Sequence, residues 1–198
     1  MRIVISDFIS LDGVVQAPGG AQEDTDAGST HGRWSLQYFD VDAMGPVLAD
    51  VMQRTAALLF GRRTWETMAA AWPGRAGDPF ADRMNAIPKY VASRSLGQAD
   101  LAWSNSSLLP ADDVLGAVGV LRDGPAAGDV QVMGSPTLAR LLIEHDLVDQ
   151  YRLMIEPVTL GGGKRLFPSD GRARQLELVS TTVSATGVHI CTYRSAGR

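Results

Sequence analysis

The sequence predicts an α/β domain: a mainly parallel central sheet flanked by helices, edged by a C-terminal antiparallel hairpin. Three observations lead there. Short apolar, β-branched runs alternate with segments whose apolar residues recur at helical spacing. Small-residue turns follow several of those runs directly, as at Gly61 and Gly134. The tail breaks the alternation, with two β-rich runs joined across Thr186-Gly187.

Residues 2–9 alternate in character and make the first strand. Residues 10–34 are rich in Gly, Asp, Ser and Thr, a connection long enough to be either functional or disordered. A helix begins near Asp40 or Asp42, with Val47, Leu48, Val51 and Met52 on one face. Proline is tolerated in a first helical turn, whose amides have no intrahelical partner, so Pro46 places the start at about Asp42. Residues 56–60 form a buried strand, and 62–71 a helix stopped by Pro73-Gly74. Strands follow at 89–93 and, more weakly, 101–104. A helix capped by Asp112 or Asp113 runs to about Leu121. Then come a strand at 130–133, a helix at 137–144, a strand at 150–158 and the hairpin 176–184 with 188–193.

Composition narrows the function. The chain has 198 residues, the size of one domain, so 1–198 is read as a single unit. It is 45% hydrophobic and 20% charged, which excludes a disordered chain. No run approaches the ~18 apolar residues of a membrane span, and Arg2 and Asp7 interrupt the start too early for a signal peptide. One cysteine, Cys191, permits no internal disulfide and fits a reducing cytoplasm, where it reads as a buried structural thiol. A net charge of −4 argues against a nucleic-acid partner. The histidines, His31, His145 and His189, lack metal-ligand spacing.

Ligands of open parallel sheets bind beyond the carboxyl ends of the strands. Three segments fall there. Gly61-Arg62-Arg63-Thr64-Trp65 opens a helix with two cations, which oppose the helix dipole unless an anion joins them. A solvated surface pair explains the arginines equally well. Ser93-Arg94-Ser95 follows the next strand. Gly134-Ser135-Pro136-Thr137-Leu138 is a small-residue turn into a helix, able to approach phosphate oxygens closely or simply to cap the helix. Together they describe a cleft for a ligand with several phosphates. Gly161-Gly162-Gly163-Lys164 lacks the phosphate-loop pattern, because Arg165 stands where Ser or Thr is required.

These segments also carry a family resemblance. GRRTWE at 61–66 is similar to the GRxTWE segment of dihydrofolate reductases. With SLDG at 10–13, PKYVASR at 88–94, VMGSPTLARLL at 132–142 and LGGGKRLF at 160–167, the order resembles a closer group. That group is the dihydrofolate reductase-like proteins related to the reductase domain of the bifunctional riboflavin-biosynthesis enzyme. The resemblance implies a dihydrofolate reductase-like fold, a homodimer, and an NADPH-dependent reductase passing hydride to a pterin-, pyrimidine- or flavin-like heterocycle. A non-catalytic nucleotide- or heterocycle-binding protein on the same fold is the alternative.

By the same resemblance Arg62 and Arg94 flank the adenosine 2′-phosphate with Ser93 beside them. Arg63 and Thr64 hold the pyrophosphate from one side, and Gly134, Ser135, Pro136, Thr137 and Leu138 from the other, with Gly61 at the turn. Asp12 would contact the substrate or relay a proton, though an Asp-Gly pair at a strand end is also an ordinary turn. Trp34 and Phe39 offer an aromatic wall for the heterocycle, while Trp65 has the spacing of a core residue. Two departures bear on substrate. Met133 stands where the riboflavin-pathway reductases carry a substrate-holding Glu. Residues 34–40 align no acid with the one that faces the pterin in dihydrofolate reductases.

Overall fold

The computed structural model describes residues 1–26, 30–75 and 77–197. Its elements are β1 (Arg2–Ser10), α1 (Val41–Arg54), β2 (Thr55–Gly61), α2 (Arg62–Ala71), α3 (Pro79–Ala86), β3 (Lys89–Ala92) and β4 (Ser106–Leu108). There follow α4 (Val114–Asp123), β5 (Asp129–Val132), α5 (Pro136–Glu144), β6 (Gln150–Glu156), β7 (Leu176–Val183) and β8 (His189–Ser195). The strands form one sheet in the order β4-β3-β2-β5-β1-β6-β8-β7. All pairs from β4 to β6 are parallel; β8 runs antiparallel to β6, and β7 to β8. The mainly parallel sheet with a terminal hairpin is the architecture expected from the alternation.

The strand period of two sends neighbouring residues to opposite faces. Ala57 and Leu59 join Ile3, Ile5, Val130 and Val132 in a core closed by Val118 of α4 and Leu138 and Leu142 of α5. Leu58 and Phe60 face the other way, onto Met52 of α1, Trp65 of α2 and Met84 of α3. Both faces are covered, which is why these strands read as continuous apolar runs.

Four elements differ from expectation. Helix α1 starts at Val41, because the Asp40 carboxylate accepts from the amides of Asp42 and Ala43 while its other oxygen accepts from Ala185 of the hairpin turn. Pro46 therefore lies in the second turn. The position is exposed, so water can take the carbonyl that loses its amide partner. Helix α3 was absent from the sequence reading although its signals were there: Asp78 caps it through the amides of Phe80 and Ala81, and Pro79 opens it. The strand expected at 101–104 forms instead at Ser106–Leu108, paired with β3. Trp103 packs rather than pairs, stacked on Phe60 with centroids 6.0 Å apart and its indole N–H on Asn85. Strand β6 ends at Glu156, not 158.

The residues from 10 to 26 and 30 to 34 are well tied down. Val14 bridges Arg165, and the Gln16 side chain accepts from the Lys164 amide and donates to the carbonyls of Asp24 and Asp26.

Lys89 is fully buried, and its ammonium donates to the carbonyls of Asn85, Ile87 and Ser104 at 2.8–3.1 Å, over the Trp103 ring. Burial draws its pKa down to about 8, so it stays charged at neutral pH. One side chain thus joins the end of α3 to the segment before β4. Lys89→Met keeps the length and strands three carbonyls. A loss of about 2–4 kcal/mol is expected, read as a fall in calorimetric Tm of roughly 5–10 °C.

Candidate functional site

Among the described residues the five α-helices have two kinds of N-terminus. Asp40, Asp78 and Asp113 cap α1, α3 and α4 by accepting from first-turn amides. The starts of α2, at Gly61, and α5, at Ser135, have no side-chain cap and no acid in the first turn. These two helices begin side by side where β2 and β5 end; Pro136 has no amide hydrogen, and the first-turn amides that remain have no capping side chain and are donors an anion could use.

The turns meet because they are glycine. The Gly61 amide donates to the Gly134 carbonyl, and a Cβ on Gly61 would lie 2.1 Å from the Ser135 hydroxyl oxygen. Gly134 has φ +99°, and a Cβ there would lie 2.9 Å from the Thr64 hydroxyl oxygen.

An outer cleft of about 600 Å³ opens on both helix starts. It brings together Gly61, Arg62, Ser93, Arg94, Ser135, Thr137 and Leu138, along with the start of α4 and with Arg140 and Glu144 of α5. Arg62 is half-exposed and paired with Glu66 one turn on. Ser93 is buried, and its oxygen accepts from the amides of Ser95 and Leu96, leaving its hydroxyl proton to donate outward. Arg94 is exposed and Arg140 half-buried, and neither has an ion-pair or hydrogen-bond partner among the described residues.

A smaller inner pocket, about 40 Å³, lies on the other side of Ser135, which also lines the outer cleft. Thr64, Met133, Gly134 and Pro136 form one wall, Asp7 of β1 the floor, and Ala17, Pro18, Glu23 and Asp24 of the long loop the roof. Arg63 belongs here rather than in the cleft. Its guanidinium reaches Asp26 at 2.5 Å and Asp24 at 3.4 Å, and Lys164 holds the same two carboxylates at 2.7 and 2.6 Å. This clasp pins the loop, so Arg63 faces loop acids, not the cleft expected to hold a pyrophosphate.

The acid and aromatics expected around the substrate are placed otherwise. The Asp12 carboxylate accepts from the Ser10 hydroxyl and from the amides of Leu160 and Gly161, with Arg165 at 3.9 Å. Those hydrogen bonds, Ser10 first, hold its pKa near 2, and they are the contacts of the ordinary turn that the sequence also allows at Asp12-Gly13. Trp34 is buried with its indole N–H on the Gln16 carbonyl, and Phe39 is exposed before α1. Neither residue lines the outer cleft or the inner pocket. Met133 packs against the core under α1–α3 with one side on the inner pocket. Trp65 is core.

The sequence reading missed Asp7, Arg140 and Glu156. Asp7 was signalled as an acid inside a β-branched run, and Arg140 by lying three residues after Thr137, on the same helix face. Glu156 ends β6 opposite Ser10 and is fully buried. One carboxylate oxygen accepts from the Ser35 hydroxyl at 2.6 Å; the other has no partner among the described residues.

The model of the RibD C-terminal domain matches residues 2–190. The chain belongs to that family. It is 27% identical over 192 residues to the uncharacterized protein YyaP of Bacillus subtilis strain 168, covering 94% of this chain and 91% of that one. Two solved structures share the fold. A putative riboflavin biosynthesis protein from Shewanella sp. PV-4 superposes with a TM-score of 0.64 at 16% identity, over 98% of this chain and 99% of that one. A pyrimidine reductase-like protein from Corynebacterium diphtheriae gives 0.65 at 13% identity, over 100% and 92%. The fold is dihydrofolate reductase-like, and membership of the RibD C-terminal family suggests a reductase-type role using a nicotinamide cofactor. Among the described residues no helix is long and apolar enough to cross a membrane, and no cluster has a metal-ligand set.

Burial lifts the Glu156 pKa from 4.5 to about 7, against the hydrogen bond from Ser35. The folded chain then holds a proton that the unfolded chain releases near pH 4.5, so stability falls as pH rises from there and levels off above about 7. Glu156→Gln retains an acceptor for Ser35 and removes the ionisation. Urea unfolding is expected to show the variant a few kcal/mol more stable than wild type at pH 8.5, with the gain vanishing by pH 5.

Proposed function

We propose that this protein is an NADPH-dependent reductase acting on a small conjugated heterocycle. The carrying observation is the uncapped pair of helix starts, α2 and α5, opening with Arg62, Arg94 and Arg140 on one cleft. Among the described residues the other three α-helices start on an aspartate cap, and these two do not.

The residues present fit a dinucleotide with an additional phosphate. The amides at the start of α5 and the Thr137 hydroxyl suit a pyrophosphate, with the glycine at 134 letting backbone come close. Arg62, Arg94 and the Ser93 hydroxyl suit a terminal phosphate, and a guanidinium supplies paired donors to such a group. Arg140 adds a third cation to the same wall. When bound, a reduced nicotinamide dinucleotide supplies a hydride. The chain's part is to orient the reacting ring, shield it from water with the long loop, and hold the proton the acceptor needs.

Arg62→Ala and Arg94→Ala are each expected to weaken NADPH binding 10- to 100-fold and NADH binding less than threefold, since only NADPH has the extra phosphate to lose. Titration by quenching of protein fluorescence checks this. Equal losses for both cofactors would overturn the assignment. Tight NADPH binding with no oxidation across a pterin, pyrimidine and flavin panel would assign the chain a binding role instead.

A further inference from the structure

We propose that one water molecule is bound between the sheet and α1 by Arg152, Gln131 and Ser6, completing a polar clamp across three strands. None of these residues lines the outer cleft or the inner pocket, so the proposal stands apart from the reductase reading.

The strands concerned lie side by side in the order β5, β1, β6. On one side Ile3, Ile5, Val130 and Val132 pack against α4 and α5. On the other, Met154 packs with Met44, Val47 and Leu48 of α1. The strand period of two turns Arg152 to the same side as Met154, and Ser6 is in register with Arg152. Asp129 and Gln131 flank Val130 on β5 and share that side. Four polar side chains thus lie under α1, where each needs a partner.

The Arg152 side chain spans β1. It starts on β6, and its Nη2 donates to Asp129 Oδ2 on β5 at 3.2 Å. The guanidinium consequently lies over β1 and beside Gln131, which is two residues beyond Asp129 on the same face. The other Asp129 oxygen is taken by Arg2, from Nε and Nη2 at 2.8 Å. Asp50, the α1 carboxylate that acts on Arg152, is exposed and paired with Arg54 at 3.0 Å. The Gln131 amide is oriented by its Nε2, which donates to the Val4 carbonyl at 3.3 Å and leaves Oε1 as an acceptor. Three atoms then have no partner among the described residues: Arg152 Nη1, Gln131 Oε1 and Ser6 Oγ. All three side chains are at least nine-tenths buried.

That set complements a water and excludes the ions. Nη1 donates, Oε1 accepts, and the Ser6 hydroxyl does either. An anion would meet Gln131 Oε1 and the Asp129 carboxylate, and a cation would meet the guanidinium. A water accepts from Arg152, donates to Gln131 and takes Ser6 as its third partner, the usual number for an interior water. Without it, each of the three atoms would bear the full cost of its desolvation. The water also accounts for a guanidinium at 7% exposure whose carboxylate is shared with Arg2. Side chains and water together then join β5, β1 and β6 above their backbone ladder.

A crystal structure of the full chain is the first test. Wild type is expected to show one density peak about 2.7–3.2 Å from all three atoms, with no anomalous signal there after a bromide soak. A direct contact between Nη1 and Oε1, bromide in the site, or no peak would each overturn the proposal. Oxygen-17 magnetic relaxation dispersion then counts long-lived interior waters in solution. Gln131→Met keeps the length and loses the acceptor, and it is expected to hold one such water fewer than wild type. Ser6→Ala removes the third partner and is expected to shorten the residence time of that water roughly tenfold. Wild-type counts and residence times in both variants would sink the idea. Should Gln131→Met fail to fold, Ser6→Ala and the wild-type density still decide.

Discussion

The site depends on how closely two turns approach. Gly61 and Gly134 end parallel strands on either side of one hydrogen bond, and neither can carry a side chain without striking Ser135 or Thr64. Their contact sets α2 and α5 side by side with the same dipole end toward the same cleft. Two like dipole ends repel, and Arg62 adds positive charge to them. Other proteins relieve such ends with a capping carboxylate, as this chain does at Asp40, Asp78 and Asp113. Leaving them bare at this one edge is an electrostatic mismatch that a bound anion resolves.

Not every cation at the edge takes part. Arg63 and Lys164 are held by Asp24 and Asp26, two acids of the long loop. The charge of one half of the site is thus consumed in closing the loop, while Arg94 and Arg140 have no partner among the described residues. A net charge of −4 is compatible with a phosphate site for this reason: the mean charge is diluted over the chain, and the free guanidinium groups are concentrated on one cleft.

The strand–helix order and the hairpin were legible because burial on both faces imposes apolar runs, and a hairpin needs its own turn residues. The bounds of α2 were legible for the same kind of reason, a glycine before it and Pro73-Gly74 after it. What escaped was set by partners distant in sequence. Asp40 rather than Asp42 caps α1 because Ala185, far along the chain, uses its second oxygen. Trp103 looks like a strand residue until Phe60 and Asn85 claim its ring and its N–H. That Gly61, Arg62, Ser93, Arg94, Ser135, Thr137 and Leu138 line one cleft could be read ahead because topology alone carries strand ends to one edge. Asp12 could not, since its partners, the amides of Leu160 and Gly161, come from a turn that no local pattern places beside it.

Asp12, Glu156 and Asp7 show what that edge can do with three similar groups. Asp12 receives two amides and a hydroxyl, each of which stabilises the anion, and it is ionised down to about pH 2. Glu156 receives one hydroxyl while fully buried, and it titrates near pH 7. Asp7 has an enclosed oxygen with no partner among the described residues, and burial first and the Glu23 charge second raise its pKa well above that of an ordinary carboxylate. The contrast follows burial, which raises a carboxyl, set against the donors aimed at it, which lower it. An acid within the conspicuous SLDG turn is spent on holding backbone together.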